Sequence, residues 1–175
     1  MIRSLNGKTP RIADSAFISE VAYVVGDVEI GDNSSVWPGA VIRGDIGKIK
    51  IGKNTVVEDN CVIHSGSPNL PPTAEATIGD NVIIGHGAVS NGRRIGNNVV
   101  IGMNATILHD VEIGDNSIIA AGCVVTEKMK IPNNSFVTGV PGKVKRTVTA
   151  EQLWWSKNSP PIYQELSQQY KSEGL

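Results

Sequence analysis

Isoleucine or valine recurs at every sixth residue over most of this chain. The series runs Ile12, Ile18, Val24, Ile30, Val36, Ile42 and then, after a nine-residue step, Ile51, Val57, Ile63. It resumes at Ile78 and Ile84 and continues through Ile95, Ile101, Ile107, Ile113, Ile119, Val125, Ile131 and Val137. Ser90 is the one exception among twenty slots. A stride of six keeps no face of an α-helix, because six steps of ~100° land ~240° away, but it does keep one face of a strand. Hexads too short to bury a face alone must stack, which predicts a parallel β-helix. Three six-residue sides make a coil of ~18 residues, and coils stack ~4.8 Å apart. Between Ile12 and Gly142 the chain accommodates about seven such coils.

Finer positions refine the prism. The fourth slot after a hexad Ile or Val holds Ala16, Ala22, Val28, Ala40, Thr55, Ala88, Val99 and Ala105, so it takes small inward side chains. Gly31, Gly52, Gly79, Gly85, Gly96, Gly102 and Gly114 follow hexad positions, often with Asp or Asn next. Such pairs are expected to turn the corners through φ > 0. Three breaks in phase stand out: residues 43–50 lengthen a corner, 65–77 with Pro68, Pro71 and Pro72 predicts a protruding loop, and the side from Ser90 to Ile95 is one residue short. The hexad region covers 1–145. In 146–175, Thr149 and Gln152 predict a capping box and a short helix through Trp154 and Trp155. Ser159-Pro160-Pro161 predicts the start of a second helix carrying Ile162, Tyr163, Leu166 and Tyr170, whose apolar face would dock on the prism or on a neighbouring chain, with the tryptophans packing there too.

Composition removes several function classes. Lys plus Arg number 16 against 17 acidic residues, which gives no electrostatic case for nucleic acid. No apolar run approaches the ~18 residues that would cross a membrane, and the N-terminal stretch is too polar for a signal peptide. Cys61 and Cys123 both fall in the small inward slot, so buried free thiols and a reducing, cytoplasmic setting are expected. Of the three histidines, His64 and His86 sit beside and between the last two breaks, and His109 follows the second.

The segments WPGAVIRGD (37–45), VVEDNCVIH (56–64), IIGHGAVSNG (83–92) and GVPGKV (139–144) resemble the γ-class carbonic anhydrase family, in particular its shorter members lacking an acidic loop. The resemblance covers nearly the whole chain. It implies an all-β, left-handed parallel β-helix with C-terminal α-helices, assembled as a homotrimer. It further implies one Zn²⁺ or Fe²⁺ per subunit interface, held by three histidines. His64 matches the first. His86 matches the opening of the family's GH-x4-HG pattern, but Asn91 stands where its second histidine belongs. By the same resemblance His64 and position 91 come from one chain and His86 from its neighbour.

Three imidazoles suit Zn²⁺ and leave one position for water. The cation lowers the pKa of that water towards ~7, a figure belonging to carbonic anhydrases at large rather than derived from this chain, so that hydroxide can attack CO₂ at neutral pH. An amide oxygen at Asn91 is a harder, weaker donor, which is expected to weaken metal retention. As a residue in its own right, Asn91 of an Asn-Gly pair also suits a corner at φ > 0. His109 follows Asn91 by eighteen residues, one nominal coil. A coil step of ~4.8 Å is more than twice a ~2.0–2.1 Å metal–nitrogen bond, so His109 can join the set only if the metal moves or the short side distorts.

The resemblance gives roles to five further residues. Arg43 and Asp45 match a pair that bridges subunits and lines the pocket. Asp59 matches a carboxylate that orients a ligand or water, and Glu58 puts a carboxylate where relatives carry Gln, to accept a proton or only to change the local charge. Tyr163 matches a tyrosine near the pocket. No counterpart of the longer members' acidic proton-shuttle residues can be placed, since Ile46 follows Asp45 and the 65–77 loop carries only Glu75. The leading reading is interconversion of CO₂ and bicarbonate. The competing readings are a hexapeptide-repeat acyltransferase binding acyl-CoA between subunits, with His86 as general base, and a non-catalytic scaffold.

Overall fold

A computed structural model describes residues 1–66 and 75–175, and Pro68, Pro71 and Pro72 of the expected loop lie outside the described residues. The hexads form a parallel β-solenoid of three faces. The first carries Ile2–Arg3, the start of Tyr23–Ile30, the start of Val41–Ile51, Val62–His64, Val89–Ser90, Thr106–Ile107 and Val124–Val125 in successive parallel pairing. The second carries Arg11–Ile12, the ends of the same two long strands, Ala76–Ile78, Arg94–Ile95, Glu112–Ile113 and Lys130–Ile131. The third runs Phe17–Ile18, Ser35–Val36, Val56–Val57, Ile83–Ile84, Val100–Ile101, Ile118–Ile119 and Ser135–Thr138. Each face has seven rungs, which makes seven coils.

The hexad column is the core. Every slot from Val24 to Val137 is buried, including Ser90, while Ile12 and Ile18 of the first coil are only partly covered. Burying each such aliphatic side chain contributes about 1.5–3 kcal/mol. The small residues of the fourth slot are buried as well, Cys61 and Cys123 included, and both thiols are free. Burial pushes the Cys61 thiol up to about 12, so it stays protonated and unreactive. Iodoacetamide at pH 8 is expected to leave Cys61 unmodified in the native protein and to label it fully in denaturant, as read by mass spectrometry. Rapid native labelling would show that the fourth slot opens to solvent.

The corners turn differently from the expectation. In the Gly-x-Asn corners it is the asparagine that takes the left-handed conformation, with φ of 53–56° at Asn33, Asn54, Asn81, Asn98 and Asn116. The preceding glycines do not. Glycine is needed there because coils touch: a Cβ on Gly79 would lie 2.7 Å from the Gly96 carbonyl oxygen and 2.5 Å from Asn97 Oδ1. The asparagines stack as a ladder, with Nδ2 of Asn54, Asn81 and Asn98 each donating to Oδ1 of the next at 3.1–3.2 Å. The lengthened corner at 43–50 is strand throughout. Val41–Ile51 is one continuous strand that rounds the corner beside Tyr23–Ile30, with the register shifting between Gly26 and Val28.

After the last coil, Lys143–Thr147 runs back antiparallel to Ser135–Thr138 and covers that end. The capping box forms as expected: Gln152 N donates to Thr149 Oγ1 at 3.3 Å, and Thr149 N donates to Gln152 Oε1 at 3.1 Å. The box leads into a single helix, Trp154–Glu173, and not two helices. Pro160 and Pro161 lie inside it. Proline's fixed φ is helical, and the face bearing Ser156, Ser159 and Pro160 is buried, so docking offsets the lost backbone donors. The docked aromatic and aliphatic residues are Tyr163, Leu166 and Tyr170, packed on Phe17, Trp37, Val56 and Ile83 of the third face. Ile162 is instead 52 % exposed, and Trp154 and Trp155 stand at 49 % and 61 %, edge-on to each other rather than packed on the prism.

Candidate functional site

The predicted site residues fall into two clusters, one at each edge of the first face. The strand Val41–Ile51 supplies Arg43 and Asp45, two residues apart and therefore on one side of the strand. Gly44 between them packs where a Cβ would meet the Asp27 carbonyl oxygen at 2.5 Å, so the strand passes there without a side chain. Asp45 uses both oxygens: Oδ2 pairs with Arg43 Nη1 at 3.0 Å and Oδ1 with His64 Nε2 at 2.9 Å. Arg43 and His64 are register partners, as are Ile63 and Ser90, which places Asn91 on the rung next to His64. Arg43, His64 and Asn91 therefore occupy successive rungs of one edge.

Asn91 is not a left-handed corner residue; its φ is negative, and its backbone N–H donates to the Ile107 carbonyl at 2.9 Å. Its side-chain Nδ2 lies 2.9 Å from His109 Nε2. The one-residue mismatch between their coils is absorbed beyond them, where the Val111 carbonyl accepts from both Arg93 N and Arg94 N at 2.9 and 3.2 Å. His109 thus joins the His64 edge through Asn91.

The second cluster sits at the other edge, between the third and first faces. Glu58 is 5 % exposed and fully engaged. Its Oε2 accepts from His86 N at 2.9 Å and faces His86 Nε2 at 3.2 Å, while Tyr163 Oη donates to its Oε1. Asp59 Oδ2 lies 2.9 Å from His86 Nδ1. The Tyr163 ring leans on Trp37 with centroids 5.5 Å apart, and the Trp37 indole N–H donates to Ser35 Oγ at 2.9 Å. Burial and then the Glu58 carboxylate hold the Tyr163 proton well above the usual tyrosine range, so the phenol remains a donor. Trp37 is the supporting residue that the motif reading missed. Its signal was an indole beside the hexad position Val36, on a side that would otherwise face solvent.

On one chain the clusters stay apart: His86 precedes the strand Val89–Ser90 and Asn91 follows it. Among the described residues no three His, Cys, Asp or Glu side chains converge to hold a metal ion. The donors nevertheless suit one. Two imidazoles and an amide oxygen are donors of the kind Zn²⁺ or Fe²⁺ takes. His64 has one ring nitrogen on a carboxylate, and His86 has Nδ1 on Asp59 and Nε2 facing Glu58, which a metal at Nε2 would replace.

A prism of stacked hexads with histidine–carboxylate pairs along its edges defines a hexapeptide-repeat protein. The hexapeptide pattern described as bacterial transferase hexapeptide (six repeats) matches residues 9–44 and 94–127, and the hexapeptide repeat of succinyl-transferase matches 75–108. A "Probable carbonic anhydrase" of Methanocaldococcus jannaschii is 48% identical over 163 residues, covering 92% of this chain and 98% of that protein. "Gamma carbonic anhydrase 1, mitochondrial" of Arabidopsis thaliana is 36% identical over 167 residues, 95% of this chain and 61% of that protein. A solved hexapeptide transferase family protein from Anaplasma phagocytophilum superposes with a TM-score of 0.88 at 32% identity, covering 97% of both chains. The chain belongs to the γ-class carbonic anhydrase family of hexapeptide-repeat proteins.

Proposed function

We propose that this protein hydrates CO₂ reversibly to bicarbonate at a site shared between adjacent subunits of a homotrimer. One observation carries the reading: His64 and Asn91 lie on neighbouring rungs of one edge, while His86 lies on the opposite edge of the same face. A second copy that presents its His86 edge to the first copy's His64 edge would complete the donor set. In that arrangement His64, Asn91 and the neighbour's copy of position 86 hold Zn²⁺ or Fe²⁺. The cation supplies the charge that acidifies a bound water. Asp45 fixes the tautomer and aim of the His64 ring, with Arg43 holding Asp45 in turn. Asp59 does the same for His86, and Tyr163 donates to Glu58, leaving that carboxylate's second oxygen to the His86 segment. A cytoplasmic location fits the two free thiols.

Stopped-flow CO₂ hydration with purified protein, together with zinc and iron analysis, tests the reading. Metal near one ion per subunit and hydration above the buffer rate are expected. The Asn91→His variant should hold metal more tightly, by about tenfold or more given what ligand-shell changes are worth, and should hydrate faster. Stoichiometric metal in both forms with identical rates would refute the idea that position 91 limits activity. The match to a hexapeptide transferase family structure favours one second reading, acyl transfer from an acyl-CoA. Saturable acetyl-CoA binding by metal-free protein would support it over hydration.

A further inference from the structure

Asn91 and His109 meet side chain to side chain across adjacent coils, on the edge that also carries His64. We infer that His109 is a positioning residue for Asn91, holding its amide so that Oδ1 is the atom offered to a cation shared with His64. This rests on the metal reading above. The Asn91 nitrogen can only donate, so in the 2.9 Å contact His109 Nε2 is the acceptor and the imidazole carries its proton on Nδ1. Glu127 stands on that side, with Oε1 3.9 Å from Nδ1. The distance is too long for a hydrogen bond, so the assignment rests on the Asn91 contact alone. With Nδ2 committed, Oδ1 is the amide's remaining donor atom for a metal, and among the described residues nothing else pairs with it. The same contact argues against His109 as a direct ligand, because its Nε2 lone pair already receives the Asn91 N–H.

The histidine expected at position 91 is thus replaced by an amide oxygen backed by an imidazole from the next coil. Ser90 still pairs with Ile107, so residue 109 lies one step past residue 91 in register; the two side chains meet across that offset before the mismatch is absorbed at Val111.

Zinc titration of metal-free protein against a chelator reads the effect. His109→Ala is expected to weaken Zn²⁺ binding 10- to 100-fold, the usual worth of a group that orients a metal ligand. His109→Gln, which keeps an acceptor, should restore most of it. Asn91→Ala should match His109→Ala, and the double variant should be no weaker than Asn91→Ala alone. X-ray absorption at the zinc edge should count two imidazoles in the wild type and still two in His109→Ala. Unchanged affinity in His109→Ala, or three imidazoles falling to two, overturns the inference. Wild-type protein that takes up no zinc sinks both this inference and the metal reading. Zinc binding that responds to His109 without any CO₂ hydration sinks only the activity.

Discussion

Mixed trimers built from His64→Ala and His86→Ala subunits are expected to regain metal sites that neither variant has alone. Each single variant removes one imidazole from every site. Groups that orient a ligand, and a weak amide ligand such as Asn91, are worth about 10- to 100-fold in metal affinity, so the loss of an imidazole should exceed about 100-fold. In a cyclic trimer each site would draw His64 from one subunit and His86 from the next. Any trimer containing both variants then has one interface in which an intact His64 faces an intact His86. Co-expression with two affinity tags and tandem purification isolates these mixed species. They should carry metal, and hydrate CO₂, at about one third of the wild-type level. Sites contained within one chain would show no recovery, because every subunit lacks one of the two rings. The separation of the clusters across the strand Val89–Ser90 is what leads us to expect recovery.

The same separation shows why the site was only partly legible in the sequence. Register was legible: the hexad count from Ile63 to Ser90 already sets His64 beside Asn91, and the count from Val57 to Ile84 sets Asp59 beside His86. Contacts across faces were not. That Tyr163 reaches Glu58 depends on where the C-terminal helix lies, and no period in the repeat specifies its path. A clue was present in the outward positions of one face. Phe17, Trp37, Val56 and Ile83 place apolar side chains on the third face where the second face carries Lys, Arg, Thr or Glu, as at Lys50, Thr77, Arg94 and Glu112. That stripe marks the docking track of Tyr163, Leu166 and Tyr170.

The prediction of two helices failed for a related reason. Ser159-Pro160-Pro161 is a good helix start as an isolated segment, and proline is costly inside a helix, by about 3 kcal/mol. Packing of Ser156, Ser159 and Pro160 against the solenoid, however, stabilises a continuous helix through them. Local propensity was outweighed by burial. The corner glycines failed in the opposite sense. Conformational freedom was a sufficient reason for glycine at these corners, yet asparagine takes the left-handed residue, and the glycines serve the approach of one coil to the next.

That distinction makes a stability prediction with a large effect. Gly79→Ala is expected to destabilise the protein by about 1.5–4.5 kcal/mol, combining an overpacking cost of about 1–3 kcal/mol with loss of a solvent-exposed hydrogen bond worth about 0.5–1.5 kcal/mol. The added methyl would sit 2.5 Å from Asn97 Oδ1 and 2.7 Å from the Gly96 carbonyl oxygen. It would push away the Asn97 carboxamide that accepts from Asp80 N at 2.8 Å, and the backbone it meets is held in a ladder on both sides. Gly122 is the informative comparison. It has φ of +65° but open space around its Cβ position. Alanine there bears only the left-handed penalty, roughly 1–2 kcal/mol. If freedom of φ were what these corners require, Gly122→Ala would be the worse of the two. If coil-to-coil contact governs, Gly79→Ala should unfold first by a clear margin in guanidinium at fixed protein concentration, since assembly makes apparent stability concentration-dependent. Equal midpoints would mean that the stack yields at its corners, and the close approach at Gly79 would then not be what excludes a side chain there.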